Sequence, residues 1–237
     1  MTTDVRAIPG LEHLPYAEVW LHAADDVRWR EASGMAAGLG KTGLEVWTTT
    51  RTPEVVRFLE AQGYEEVRRY AISELDVAAA PAPAAPRFEV VTLAERPELA
   101  DRLFALAQIA YADQPGRSET RIDEHWFAWG LGVHPPEAYF VALESGRVLG
   151  YGYLERDGDE WRNGFLAVAR EARGRGVGGA IKRAQIRWAK QNGVARLTTA
   201  NEVRLASMID LNGRLGYVPV YEEVVLRGPL ASSSPTS

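Results

Sequence analysis

Residues 168–180 read Val-Ala-Arg-Glu-Ala-Arg-Gly-Arg-Gly-Val-Gly-Gly-Ala. Of the whole chain, this stretch has the residue types and spacing best suited to chemistry on an anion. Gly174, Gly176, Gly178 and Gly179 let backbone N–H groups approach a ligand with no Cβ in the way. A helix opening at Val177 adds unpaired donors and the positive end of its dipole. Arg170, Arg173 and Arg175 add charge. A charge-assisted hydrogen bond is worth roughly 1.5–3 kcal/mol, so three or four suffice to hold a pyrophosphate. The same glycines also suit a tight strand-to-helix turn with solvated arginines, but three arginines at one helix opening favour the anion.

Such a turn works only if a strand delivers it and a helix continues it. Trp161 to Ala169 reads as the strand and Val177 to Gln191 as the helix, with a buried stripe of Val177, Ile181, Ala184 and Trp188 and a left-handed cap at Gly193. Upstream, Phe88 to Leu93 reads as a strand and Pro97 to Tyr111 as a helix with Leu99, Leu103, Leu106 and Ile109 in one stripe. A short helix follows over Ile122 to Trp129, then a hairpin of Ala138 to Leu143 and Val148 to Leu154. Downstream come a strand over Arg196 to Ala200, a helix over Leu205 to Leu215, and strands over Tyr217 to Val220 and Glu223 to Leu226. The expected class is α/β, a mixed sheet flanked by helices.

The segment Ala78 to Pro86, AAAPAPAAP, carries no charge and cannot build a helix. It reads as a polyproline-like spacer between a part spanning residues 1–77 and one spanning 87–228, ahead of a Ser/Pro-rich tail at 229–237. A shift of about 153 positions lays Leu44 on Leu197, Arg51 on Arg204, Val56 on Ile209, Gly63 on Gly216, Tyr64 on Tyr217 and Val67 on Val220. The first part therefore echoes the end of the second, with Thr52 and Pro53 as an N-cap and N1 pair.

Composition narrows the function. The net charge of −5, with no long run of one sign, gives no basic footprint for nucleic acid. The chain has no cysteine, so thiolate catalysis and thiolate metal sites are excluded. The four histidines show no metal-ligand spacing, and no metal is assigned. No leader sequence and no run of about 18 apolar residues is present, so the expectation is a cytoplasmic protein without membrane contact. Two further anion motifs are weaker. Gly174-x-Gly176-x-x-Gly179 with Glu202 fits a dinucleotide fingerprint, but fewer than 60 residues follow it. Gly40-Lys41-Thr42 ends a helix instead of opening one and lacks the first glycine of a P-loop.

The turn, with Asn201, Met208, Asn212 and Leu215-Gly216-Tyr217 downstream, resembles the GCN5-related N-acetyltransferase superfamily. Arg173-x-x-Gly176-x-Gly178 matches its Arg/Gln-x-x-Gly-x-Gly/Ala signature, and the resemblance covers roughly Phe88 to Leu226. It implies a mostly antiparallel sheet, acetyl-CoA as cofactor and direct attack of a small-molecule amine on the thioester. By position, the backbone of Leu166, Ala167 and Val168 would pair with the pantetheine arm. Arg173, Gly174, Arg175, Gly176, Val177, Gly178 and Gly179 would take the pyrophosphate, and Asn201 would lie beside the cofactor. The N-terminal part resembles a degenerate half-copy. Its helix entrance, Ala24-Asp25-Asp26, has no glycine and repels phosphate, so one cofactor per chain is expected.

Two positions depart from the family. Asn212 stands where many members have a proton-donating tyrosine, and Leu205 where an asparagine often binds pantetheine. These departures leave a catalytically weak acyl-CoA-binding module as a second reading. An amine acceptor must lose a proton, which a carboxylate can take. Glu160 is the first candidate base, because strand alternation gives it a face in common with Arg162, Gly164 and Leu166. Val168 N–H is a candidate oxyanion donor. Asp113, Glu119, Asp123 and Glu124 fall in the segment that covers the acceptor in this family, and are candidates for attracting a cation. Trp126, with Phe127 and Trp129, is either an acceptor-pocket floor or core.

Overall fold

The computed structural model of the protein describes residues 4–8, 11–81, 87–114, 122–158 and 160–231. Its elements are β1 (Val5–Ala7), β2 (Tyr16–Trp20), α1 (Asp26–Gly38), β3 (Gly43–Thr49), α2 (Pro53–Ala61), β4 (Glu65–Asp76), β5 (Glu89–Thr92), α3 (Ala100–Ala112), α4 (Glu124–Val133), β6 (Tyr139–Glu144), β7 (Arg147–Asp157), β8 (Glu160–Val168), α5 (Val177–Gln191), β9 (Arg196–Glu202), α6 (Ala206–Arg214) and β10 (Val218–Pro229).

The chain forms two compact units. One comprises residues up to Ile72 together with those from Val220 onward, and the other is Ser73–Pro219. The division therefore does not fall at the Ala/Pro segment, as the composition suggested. It falls inside β4 and inside β10, two 12-residue strands whose ends serve different units. β10 is also one strand where two were expected, because Tyr221-Glu222 carries no turn chemistry to interrupt it. Glu119 and part of the Ala/Pro segment lie outside the described residues.

In the second unit, β5, β6, β7 and β8 pair antiparallel in sequence order, and β9 then joins β8 in parallel. The mixed, mostly antiparallel sheet expected from the sequence is present. It is not the parallel sheet of a dinucleotide fold. One face of this sheet packs on α5, burying Phe140, Leu149, Leu154, Val177 and Ile181. The other face carries Tyr139, Val141, Tyr151 and Ala167 against Leu99, Leu103 and Leu106 of the α3 region and Phe127 of α4. Helix α5 has the expected bounds, because its apolar stripe keeps one face and Gly193 takes the left-handed φ of 70° just beyond the cap.

The first unit repeats the strand–helix–strand pattern. β2 and β3 are parallel, and β10 runs antiparallel to β3. Asp25 caps α1, its Oδ1 accepting from Val27 N at 3.0 Å and Arg28 N at 3.2 Å. Pro53 opens α2 as expected, but Thr52 does not cap it. Its Oγ1 donates instead to Thr49 O at 3.2 Å. The two echoing glycines, Gly63 and Gly216, both take positive φ, at 82° and 92°.

Candidate active site

β8 ends at Val168, a short 3-10 turn covers Arg170–Ala172, and α5 opens at Val177. Gly176 caps the helix with φ at 91°, a left-handed conformation that a side chain would strain. No side chain caps this end and no acid lies in its first turn. The first intrahelical bond is Ala180 N to Gly176 O at 3.0 Å. The N–H groups of Val177, Gly178 and Gly179 therefore precede the ladder, at the positive end of the dipole.

The arginines of the turn meet carboxylates. Arg170 Nε lies 3.0 Å from Asp113 Oδ2, and Arg173 Nη2 lies 2.6 Å from the same oxygen. Arg170 and Arg173 hold the Asp113 carboxyl well below the usual carboxylate range. Arg173 Nε also donates to Val168 O at 3.1 Å, and Arg175 Nη2 reaches Glu144 Oε1 at 2.5 Å. These are surface pairs, each worth about 0–1 kcal/mol, which an arriving phosphate can displace. Asp113 thus stands at the turn, paired with its arginines.

Beside the turn the sheet opens. β8 and β9 pair through Trp161–Leu197, Arg162–Thr198 and Asn163–Thr199, and no further. Ala169 N–H donates to Leu149 O, toward β7. By alternation Val168 and Leu166 turn their N–H groups to the unpaired edge of β8. A strand edge with free donors next to an uncapped helix N-terminus suits an extended polar arm that ends in a pyrophosphate. Asn212 Oδ1, buried and without a hydrogen-bond partner among the described residues, is an acceptor in want of a donor beside the same opening. The residues present therefore fit a coenzyme A group.

A bulge interrupts β8. Gly152 faces Leu166 and Leu154 faces Asn163, so Gly164 and Phe165 together oppose Tyr153. Gly164 is needed there, since a Cβ would sit 2.1 Å from Tyr153 Cε2. The bulge breaks the alternation that put Glu160 and Leu166 on one face. Asn163 and Leu166 face α5, whereas Phe165 and Ala167 face α3 and α4. Glu160 is exposed at the far end of β8, opposite Asp157, and lines a cavity of about 1010 Å³ with Trp161 and Trp188. Leu166 lies six positions further along the strand, about 20 Å at the usual rise. The structure does not bring Glu160 to the turn.

The face beneath α3 and α4 carries a row of rings that sequence reasoning missed. Tyr111 stacks on Phe165 at 4.1 Å, and His134 on Tyr153 at 5.0 Å. Burial pushes the Tyr111 and Tyr153 phenols above their ordinary pKa, and the Glu155 charge adds to this. Glu155 Oε1 pairs with Arg162 Nε at 2.7 Å, and its Oε2 lies 3.9 Å from His134 Nε2. The spacing Tyr151-x-Tyr153-x-Glu155 was the available signal. Glu124 is exposed at the start of α4. Trp126 lies in α4, but its side chain is outside the described residues, while Phe127 is core.

A second omission lies on the other face. Lys182 and Gln185 on α5 are 1% and 2% exposed. Lys182 Nζ donates to Asn163 Oδ1 at 3.2 Å and Thr199 Oγ1 at 3.3 Å, and burial brings its pKa down to about 7. Asn201 Oδ1 accepts from Asn212 Nδ2 at 2.5 Å. Among the described residues no cluster of three metal-ligating side chains occurs, and no helix is long and apolar enough to cross a membrane.

The comparisons with known proteins agree with this geometry. No curated protein sequence matches the chain. A GCN5-related N-acetyltransferase from Sphaerobacter thermophilus superposes with a TM-score of 0.71 at 20% identity, over 98% of this chain and 77% of its own. A tandem GNAT protein from the clavulanic acid biosynthesis pathway gives 0.67 at 19% identity, over 93% and 77%. A GCN5-related N-acetyltransferase from Kribbella flavida gives 0.62 at 17% identity, over 94% and 84%. Residues 101–217, which hold the turn, the splayed strands and the ring-lined face, match the Acetyltransferase (GNAT) family. Through these residues the chain belongs to the GNAT acetyltransferase family.

Proposed function

We propose that the protein transfers an acetyl group from acetyl-CoA to the primary amine of a small molecule, by direct attack in a ternary complex. The observation that carries this reading is the parting of β8 from β9 after Asn163 and Thr199, next to the uncapped N-terminus of α5. Bound acetyl-CoA supplies a thioester already activated toward an amine. Residues Arg173 to Gly179 would hold its pyrophosphate, and the free edge at Leu166 and Val168 its arm. Val168 N–H, on that edge, is the donor available to a developing oxyanion.

The acceptor must give up a proton. For a lysine-like amine of pKa about 10.4, this costs roughly 4–5 kcal/mol at pH 7. Glu155 replaces Glu160 as the proposed base, because it lies two residues along β7 from Tyr153 at the bulge and is oriented by Arg162. With any working amine, Glu155→Gln is expected to lower kcat/KM at least tenfold, as typical general-base contributions require. Glu160→Gln is expected to stay within about twofold of the parent. The reverse order would return the role to Glu160.

One observation favours a weaker catalyst. Asn212 is buried and bonded to Asn201, and an amide cannot give a leaving thiolate a proton. Turnover separates the two readings. The chain has no cysteine, so any thiol released during incubation with acetyl-CoA and a panel of amines belongs to CoA. Amine-dependent thiol release is expected, with calorimetry giving one CoA per chain. CoA binding without release against every amine would make the protein a binding module.

A further inference from the structure

The chain contains its strand–helix–strand–helix pattern twice, and this separates what the fold requires from what the site requires. The shift of 153 positions lays Trp29 on Lys182, Val46 on Thr199, Thr48 on Asn201, Leu59 on Asn212 and Tyr64 on Tyr217. In the first unit Val19 pairs with Val46, and the register runs on through Trp20 and Trp47. Leu21 N–H then donates to Trp47 O at 3.0 Å, so the two strands stay closed. In the second unit the corresponding pair is Asn163 and Thr199, and there the pairing stops. Lys182, Thr199 and Asn212 are as deeply buried as Trp29, Val46 and Leu59, all at 4% exposure or less. Burying polar atoms is unfavourable, and the first unit folds the same pattern with mainly apolar ones. The polar set therefore answers to something other than the fold.

These polar atoms form a hydrogen-bonded chain with a direction. The Lys182 amine, charged or neutral, has enough N–H groups to donate to both of its oxygen partners. Lys182 Nζ gives protons to Asn163 Oδ1 and Thr199 Oγ1, bridging the last paired residues of β8 and β9. Thr199, its oxygen thus occupied, turns its own proton to Asn201 Oδ1 at 3.3 Å. Asn201 Oδ1 then accepts, so Asn212 must present Nδ2 to it. What remains at the end is Asn212 Oδ1, buried and unpartnered among the described residues, beside the stretch of β9 that has left β8. No carboxylate is among the described partners of Lys182. The Tyr217 ring lies 4.9 Å from Nζ.

We propose that Lys182 is a positioning residue which, through Thr199 and Asn201, fixes Asn212 Oδ1 as the acceptor for an amide N–H of the pantetheine arm. The proposal rests on the coenzyme A reading of the site. The amine that donates at one end of the chain leaves an acceptor at the other, and the arm carries two secondary amides that can donate to it.

Calorimetry with two probes tests this. One probe is CoA. The other is 3′-phospho-ADP, which keeps the nucleotide and pyrophosphate but lacks the arm. Thr199→Val cuts the chain at nearly constant volume. It is expected to weaken CoA binding about tenfold, leave 3′-phospho-ADP unchanged and be rescued by Thr199→Ser. Lys182→Met is expected to show the same selective loss. If it fails to fold, the Thr199 pair carries the test alone. Parent-like CoA affinity in Thr199→Val, or an equal loss for both probes, overturns the proposal. A parent protein that binds neither probe removes the coenzyme A reading itself, a result distinct from either of these.

Discussion

Arg173→Glu is expected to weaken CoA binding at least tenfold while the protein stays folded. Arg173 is 45% exposed, and its described bonds are to the Val168 carbonyl and the Asp113 carboxylate. Exposed ion pairs contribute about 0–1 kcal/mol, so folding is little affected by their loss. Binding is affected more. A tenfold change is about 1.4 kcal/mol, below the ~1.5–3 kcal/mol of one charge-assisted hydrogen bond, and the reversed charge adds repulsion. Asp113 gives the converse. It now neutralises Arg170 and Arg173 together, so Asp113→Asn frees both and is expected to tighten CoA binding. Both shifts are expected to shrink as salt is raised, because the groups lie at the surface. Calorimetry at low and moderate ionic strength measures them. An Arg173→Glu protein with the parent's affinity would put the pyrophosphate elsewhere.

The anion turn was legible because everything it needs is local. Glycines, arginines and a helix opening stand within 13 residues, and α5 came out with the bounds its stripe implied. The catalytic face was legible only in part, because one inserted residue undid the period-2 argument. Gly164 reads as an ordinary strand glycine until Tyr153 is seen against it, and the bulge there moves Leu166 to the face opposite Glu160. Lys182 and Gln185 were hidden for another reason. They stand on the buried stripe of α5 with letters that read as solvated, and only Asn163 and Thr199, 19 and 17 residues away, explain them. The exchange of strand ends between units is not local at all. Nothing in β4 or β10 marks which neighbour each end will find, while the Ala/Pro segment, the most conspicuous feature of composition, does not mark the boundary between the units.

The largest loss of stability is expected at Glu45, far in sequence from the turn. Glu45 on β3 is 1% exposed, and Arg227 lies directly opposite on β10, with its Nη2 2.5 Å from Glu45 Oε1. Arg68 on β4 pairs with the other oxygen and is itself 6% exposed. Burial pushes the Glu45 carboxyl upward, but hydrogen bonds and charge from Arg68, then Arg227, outweigh it and leave the pKa lowered. Removing the carboxylate leaves Arg68 as a buried, uncompensated charge, and breaking a buried pair in this way costs about 3–5 kcal/mol. Glu45→Gln keeps the shape and removes the charge, so urea unfolding at pH 7 reads the charge alone. The pH dependence has a definite sign. A carboxyl whose folded pKa lies below its unfolded value stabilises the fold at pH values above the unfolded one. That contribution is lost as pH falls through the folded pKa. The gap between parent and Glu45→Gln is therefore expected to be full at neutral pH and to close in acid. A Glu45→Gln protein that unfolds at the parent's urea midpoint at pH 7 would show that the two guanidiniums are held by the fold without their carboxylate.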